Sequence, residues 1–128
     1  MAIEWYDSQK PLPTVTVAPY GLNLSSSSVE YFSGTAKIKL GIDTSQKRIL
    51  IKPATADEEG TFTFPEINEN QKTARISCKD FVQFVAIKIG IDIEKSEKYF
   101  AFWENKEGIL IVELTKKAQK KRQRNKAV

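Results

Sequence analysis

Residues 74–114, ARISCKDFVQFVAIKIGIDIEKSEKYFAFWENKEGILIVEL, carry the clearest pattern of secondary structure in the chain. The opening ARIS alternates apolar and polar residues and predicts a short strand. Apolar residues at helical spacing follow over Lys79–Ile89, and Gly90 ends the predicted helix. Two alternating segments, Tyr99–Trp103 and Ile109–Leu114, flank the turn sequence NKEG and predict a hairpin. The stretch therefore predicts a strand, a helix and two more strands.

The same order of elements is predicted for the first half of the chain. TVTVAPYG and LNLS predict two short strands, and the serines that follow offer an N-cap for a helix of about two turns that Gly34 ends. AKIKLGID and RILIKP then predict a hairpin. The second half also begins with an alternating segment, TFTFPEI. Each unit is too small to bury a core alone, so we expect the two to pack as a pseudo-dimer within one chain.

The predicted fold is therefore a β-rich α+β domain of two βαββ-like repeats packed about a pseudo-two-fold axis. We expect one compact domain at 14–115, which consists of a first repeat at 14–53, an acidic linker at 54–60 and a second repeat at 61–115. A lead-in at 1–13 precedes this domain, and a basic, disordered tail at 116–128 follows it. The predicted core contains Val15, Val17, Leu24, Ile38, Leu40, Ile49, Ile51, Ile76, Phe81, Val85, Phe100, Phe102, Leu110 and Val112.

The second repeat resembles the AbrB/MazE/MraZ group of swapped-hairpin proteins. The resemblance is carried by the short strand Ala74–Ser77, the helix Lys79–Ile89 closing on Gly90-Ile91, and the charged loop Asp92–Lys98 before the hairpin. The corresponding pieces of the first half are Leu22–Leu24, Ser27–Phe32, Ala36–Ile42 and Arg48–Lys52. Tandem copies in one chain are typical of the MraZ subgroup, so the resemblance implies a swapped-hairpin barrel. The chain is also similar to short proteins of bacterial phages and mobile elements.

The resemblance implies sequence-specific DNA binding by a regulator of transcription. The residues expected to contact nucleic acid are Lys72, Arg75, Lys79, Lys116, Lys117, Lys120, Lys121, Arg122, Arg124 and Lys126. Arg75 is the principal candidate, because a planar guanidinium can make two hydrogen bonds to a phosphate or a guanine edge. The alternative for Arg75 is a surface ion pair with a nearby carboxylate.

The charge distribution leaves the function of the tail open. Seven of the last thirteen residues are basic and none is acidic, whereas residues 1–115 contain 13 basic and 16 acidic residues. The tail is either a solubilising end or an arm that binds polyanions. The net charge of −3 on the body favours an alternative function for the chain, a protein-interaction module that keeps the fold without DNA contacts. A protein partner or a second copy of the chain is then expected.

Aromatic residues occupy both faces of the predicted strand Tyr99–Trp103. We expect Phe100 and Phe102 to face the core, and Tyr99 and Trp103 to lie on the other face with Ala101. That other face would contact a partner, or it would form a stacking platform for single-stranded nucleic acid.

The composition argues against catalysis. The chain has no histidine, one cysteine and no glycine-rich phosphate loop, so neither nucleophilic triads nor His- or Cys-based metal sites are expected. We therefore expect no enzyme activity, cofactor, metal or small-molecule substrate. Cys78 is either a small buried apolar residue or a thiol whose pKa is lowered at a helix start. No apolar run approaches the ~20 residues of a membrane span, and we expect a cytoplasmic protein.

Overall fold

The computed structural model describes Ile3, Trp5 and residues 12–67 and 72–118. The elements in these ranges are β1 (Thr14–Ala18), β2 (Gly21–Leu24), α1 (Ser26–Val29), a 3-10 turn (Glu30–Phe32), β3 (Lys37–Asp43), β4 (Arg48–Ala54), β5 (Phe62–Thr63), β6 (Ala74–Ser77), α2 (Lys79–Ile89), β7 (Glu97–Glu104) and β8 (Ile109–Lys117). The predicted β-rich α+β class is confirmed in this form.

All eight strands belong to one antiparallel sheet that curls into a nearly closed barrel. Its strand order is β5-β3-β4-β8-β7-β1-β2-β6, so the barrel is open between β5 and β6. Four of the seven strand pairs join the first half of the chain to the second: β3 with β5, β4 with β8, β1 with β7, and β2 with β6. The two halves therefore build a common core inside one barrel.

The alternation of apolar and polar residues fills the barrel interior. Val15 and Val17 on β1, Ile49 and Ile51 on β4, and Leu110 on β8 are each 2% exposed or less. Apolar burial of this kind is the main favourable contribution to folding. The outward residues between them form the outer surface of the sheet.

Gly21 is required where β2 approaches β6. Its φ is 154°, and a Cβ at this position would lie 2.0 Å from the carbonyl oxygen of Ile76 and 2.8 Å from the amide nitrogen of Cys78. A side chain would therefore push β6 and the start of α2 away from β2.

The second helix is confirmed with its predicted bounds. α2 spans Lys79–Ile89, and Gly90 ends it in the left-handed conformation with φ 87°. The predicted two-turn first helix is realised as α1 and the 3-10 turn after it. Its serines act differently from the prediction: Ser25 Oγ accepts a hydrogen bond from the amide of Thr14 instead of capping the helix, and buried Ser28 donates to the carbonyl of Thr14.

The predicted facing of β7 is wrong. Tyr99 and Ala101 are buried, whereas Phe102 is 42% exposed and Phe100 is half-buried. Tyr99 pairs with the core residue Val15, and this register turns the odd-numbered side chains of β7 inward. Because both faces carry aromatic residues, the alternation could not show which one is buried. Among the other predicted core residues, Leu40 is only partly buried.

The folded part extends beyond its predicted end. β8 continues to Lys117, and the amide of buried Ala118 donates to the carbonyl of Lys98 at 2.7 Å. Lys116 and Lys117 are thus strand residues and do not belong to a disordered tail. Residues 119–128, with the other five predicted contact residues of the tail, lie outside the described residues.

Candidate nucleic-acid interface

Arg75 lies on β6 with an exposed side chain that is held against an aromatic ring. Its guanidinium carbon is 3.8 Å from the centroid of the Tyr20 ring, within the range of a cation–π interaction. The described part of the chain contains three ion pairs, and Arg75 is in none of them. The alternative of a surface ion pair is therefore not found for this residue among the described carboxylates.

Tyr20 is placed by the turn that joins β1 to β2. Its carbonyl accepts a hydrogen bond from the amide of Cys78 at 3.1 Å, which ties the turn to the residue before α2. The ring then covers one side of the Arg75 guanidinium. A stacked guanidinium has fewer rotamers to lose when it binds a ligand, so the contact preorganises Arg75.

The register of four strands aligns Arg75 with three polar residues on the outer surface. Arg75 pairs with Asn23, Asn23 with Thr16, and Thr16 with Lys98. We call these four residues the basic row. With strands about 4.8 Å apart, its two cations lie on the order of 14 Å from each other along the sheet. The row contains no carboxylate, and no ion pair of the described residues involves Lys98.

Asn23 has an unsatisfied acceptor in the middle of this row. Its Oδ1 is buried and has no hydrogen-bond partner among the described residues. Leaving a buried acceptor unpaired costs about 1–3 kcal/mol. The row therefore contains a polar atom that the fold itself does not use.

The predicted contact residues fall into two groups. Lys72, Arg75 and Lys79 are exposed and lie on one short segment: Lys72 before β6, Arg75 within it and Lys79 at the first residue of α2. Lys116 and Lys117 are exposed on β8, which β7, β1 and β2 separate from β6. Lys117 Nζ lies 3.9 Å from Glu97 Oε1. The sequence prediction missed Tyr20, which contacts Arg75, and Lys98, which is aligned with it across the sheet. Both relationships depend on strand register.

Cys78 does not offer reactive chemistry to this surface. The side chain is buried, and its Sγ lies 3.6 Å from the carbonyl oxygen of Ile76. Burial raises the pKa of the thiol to about 11. It therefore stays protonated at neutral pH, as expected for a small buried residue.

A cavity of about 900 Å³ opens beside the 3-10 turn and β5. Its lining includes Phe32, Phe64, Glu30, Glu66 and Lys72. Within the described ranges, no group of three or more histidine, cysteine, aspartate or glutamate residues is arranged to hold a metal ion. Over the same ranges, no helix has the length and apolar character needed to cross a bilayer.

Comparison of the chain with known protein families, characterised proteins and solved structures gives no match.

Proposed function

We propose that the chain is a non-enzymatic DNA-binding protein, of the kind that regulates transcription, and that its folded part contacts duplex DNA through the basic row. The observation that carries this proposal is the guanidinium of Arg75, which is exposed, stacked on Tyr20 and free of a described carboxylate partner. An unpaired, preorganised arginine is the side chain best suited to a phosphate or a guanine edge.

Lys98 stands at the opposite end of the basic row from Arg75, so the positively charged surface has a cation at each end. Asn23 and Thr16 lie between the two cations and add short polar side chains without negative charge. Amide and hydroxyl groups of this kind commonly bind phosphate and base edges once lysine and arginine have placed the protein on the duplex. The row thus combines charge for positioning with groups that can read bases, which for Asn23 means the amide nitrogen, because its Oδ1 is buried.

The basic tail supplies a second, less specific contribution. Its five cations beyond Ala118 are Lys120, Lys121, Arg122, Arg124 and Lys126. Lysine and arginine on a nucleic-acid backbone release counterions, so their contribution falls steeply as salt rises. We assign the tail to phosphate contacts that strengthen binding on any sequence.

We further propose that the two halves are copies of one unit that exchange hairpins, as the resemblance to swapped-hairpin proteins implies. Exchanging the labels β1–β4 with β5–β8 in order maps six of the seven strand pairs onto one another. The seventh pair, β1 with β2, maps onto β5 and β6, the two strands that border the opening of the barrel. This symmetry of the strand order supports the proposal.

The registers support the same equivalence. β1 pairs Val15 with Tyr99, and β5 pairs Phe62 with Ile38 at the corresponding place. The sequences at these places are TVTV at 14–17 and TFTF at 61–64. Aligning residues 21–25 with residues 73–77 makes Asn23 correspond to Arg75, its own strand partner, and under the proposed symmetry the pseudo-two-fold axis would pass between these two residues.

One observation favours the second candidate, a protein-interaction module. α2 exposes two large apolar side chains one turn apart, Phe84 at 44% and Ile87 at 80%. Exposed apolar residues that adjoin one another commonly mark contacts with other proteins. Binding of the folded part to DNA separates the two candidates.

Fluorescence anisotropy with labelled duplex DNA tests the proposal. The full-length chain is compared with a variant whose five tail cations beyond Ala118 are replaced by glutamine. We expect the variant to bind more weakly, with a shallower dependence on salt, and to retain measurable binding at low salt. Complete loss of binding in the variant would assign all binding to the tail, and absence of binding in both proteins would favour the interaction module.

A further inference from the structure

The outer surface of β7, β8, β4 and β3 carries a row of residues without charge. Phe102 pairs with Ile111, Ile111 with Leu50, and Leu50 with Gly41. We call these four residues the apolar row. Phe102, at one end of it, is 42% exposed and has the guanidinium carbon of Arg48 5.4 Å from its ring centroid; Ile111 is 9% exposed, and Gly41 stands at the other end.

The fold does not explain the glycine at position 41. It lies inside β3, its φ is outside the left-handed region, and the β3–β4 register runs through it without a shift. Apart from its two chain neighbours, no atom of the described residues lies within 4 Å of the place where a Cβ would stand. A glycine inside a strand weakens it, and where the local backbone does not need one it often marks close approach by another molecule.

Charged residues flank the apolar row on both sides. On one side of it Glu104 pairs with Ile109, and Lys52 pairs with Lys39, whose Nζ lies 3.8 Å from Glu58 Oε1 of the same chain. The other contains Glu113, Arg48 and Asp43 in adjacent strands, with the Arg48 Nε 3.0 Å from Glu113 Oε2. Each flank therefore contains both positive and negative residues. On the first flank they stand at opposite ends, and on the second they stand in adjacent strands.

We propose that this face binds a second copy of the same chain in a two-fold symmetric dimer. The dimer axis runs along the strands and passes between Ile111 and Leu50. Rotation about it exchanges the two ends of the apolar row, so that Phe102 of each copy stands over Gly41 of the other. The bulky ring then occupies the space that the absence of a Cβ leaves open, twice in each dimer.

The same rotation matches the flanking charges. Lys39 of one copy lies opposite Glu104 of the other, and Arg48 lies opposite Glu113. The other two-fold axis in the face, along the apolar row, would place Phe102 against Phe102 and Arg48 against Lys52. Charge complementarity and the fit of ring to glycine thus select one arrangement of two copies.

The face spans four strands, or about 15 Å at a strand spacing of about 4.8 Å. Two sheets packed about 10 Å apart over such a face bury an area at the low end of specific interfaces. The dimer should therefore form and dissociate as the protein concentration changes. We assign it to weak, reversible association.

Sedimentation velocity of the full-length chain at rising concentration tests this proposal. We expect a monomer–dimer equilibrium for the native sequence. Gly41→Val should abolish the dimer while the melting temperature stays equal or rises, because the new side chain enters open space and valine suits a strand. Phe102→Thr should also give a monomer, whereas Ile87→Thr, which removes an exposed apolar residue from α2, should leave the dimer unchanged.

A mixing experiment tests the orientation. Lys39→Glu and Glu104→Lys, each confirmed as folded by its melting temperature, should dimerise several-fold more weakly than the native chain. An equimolar mixture should regain the association, because opposite charges meet in the mixed dimer. The proposal is overturned if the native chain remains monomeric at ~1 mM, the limit of weak specific association. It is also overturned if the dimer survives Gly41→Val or if Ile87→Thr abolishes it. A third contrary result is an equimolar mixture of Lys39→Glu and Glu104→Lys that associates no more tightly than either variant alone.

Discussion

Lys47 and Gly108 occupy the same position in the turns of the two hairpins, and both have a left-handed backbone, with φ of 59° and 69°. The acidic residue four positions earlier accepts a backbone hydrogen bond in each turn. Asp43 accepts from the amide of Gln46 at 3.1 Å, and Glu104 accepts from the amide of Glu107 at 2.8 Å. The two turns thus share their length, their backbone conformation and their side-chain contact, as the proposed equivalence of the two halves predicts.

This relationship predicts opposite effects of substitution at the two positions. Lys47→Gly should raise the free energy of unfolding by about 0.5–1 kcal/mol, because glycine adopts a positive φ without the cost that a side chain imposes. Gly108→Ala should lower it by about 1 kcal/mol for the same reason. Urea denaturation of both variants checks the prediction. A loss of stability in Lys47→Gly would contradict it.

Gly21 should be the glycine least tolerant of substitution. Gly21→Ala should lower the free energy of unfolding by about 3 kcal/mol or more, because its Cβ would overlap the backbone of β6. Gly41→Ala is the matched control, since a Cβ there meets no atom, and it should raise stability by about 0.5–1 kcal/mol. Thermal and urea denaturation of the pair give the comparison. Equal effects at the two positions would show that β2 and β6 are not as close as described.

Stability should fall at alkaline pH in part because of Cys78. Burial raises the pKa of this thiol from 9.0 to about 11 in the folded chain. Between these values the unfolded chain loses the proton and the folded chain keeps it, so the free energy of unfolding decreases as pH rises from about 9 to about 11. Burial also raises the pKa of Tyr99, which acts in the same direction. The free energy of unfolding of Cys78→Ala should therefore fall less steeply with rising pH than that of the native chain. Tyr99→Phe should show a similar, parallel effect. Identical dependence of the unfolding free energy on pH in all three proteins would contradict the prediction.

Asn23 links stability to binding. Asn23→Thr should raise the free energy of unfolding by about 1 kcal/mol, because it removes a buried unpaired oxygen and places a β-branched residue in a strand. The same substitution should weaken DNA binding if the amide contributes to the basic row. Urea denaturation and anisotropy of one variant measure both effects. A variant that is less stable than the native chain would mean that Asn23 makes a favourable contact in the fold.

The predictability of the fold from sequence differs from element to element. The helix at Lys79–Ile89 was predicted with its bounds because its apolar spacing and its closing Gly90 act locally. The strand at Glu97–Glu104 was predicted, but its buried face was not, because Tyr99, Phe100, Phe102 and Trp103 offer aromatic residues to both sides. The pairing of Tyr99 with Val15 determines which face of this strand is buried, and that contact joins residues 84 positions apart.

The candidate site was predictable only in part for the same reason. Arg75 was identified from the family resemblance, which places it on the short strand Ala74–Ser77, and from the geometry of its guanidinium. Its stacking on Tyr20 and its alignment with Lys98 arise from strand registers that no local pattern specifies. The opposite placement of Phe102 and Gly41 on the other face also depends on register, since 61 positions separate them in the chain.

The most direct test of the proposed function is the affinity of the Arg75→Ala variant for duplex DNA at several salt concentrations. Lys88→Ala, which removes an exposed cation of α2 outside the basic row, is the matched control. We expect Arg75→Ala to weaken binding by about 1–3 kcal/mol with little change in melting temperature, and Lys88→Ala to have a much smaller effect. If both variants bind as tightly as the native chain, the folded part does not contact DNA through Arg75, and the central claim is contradicted.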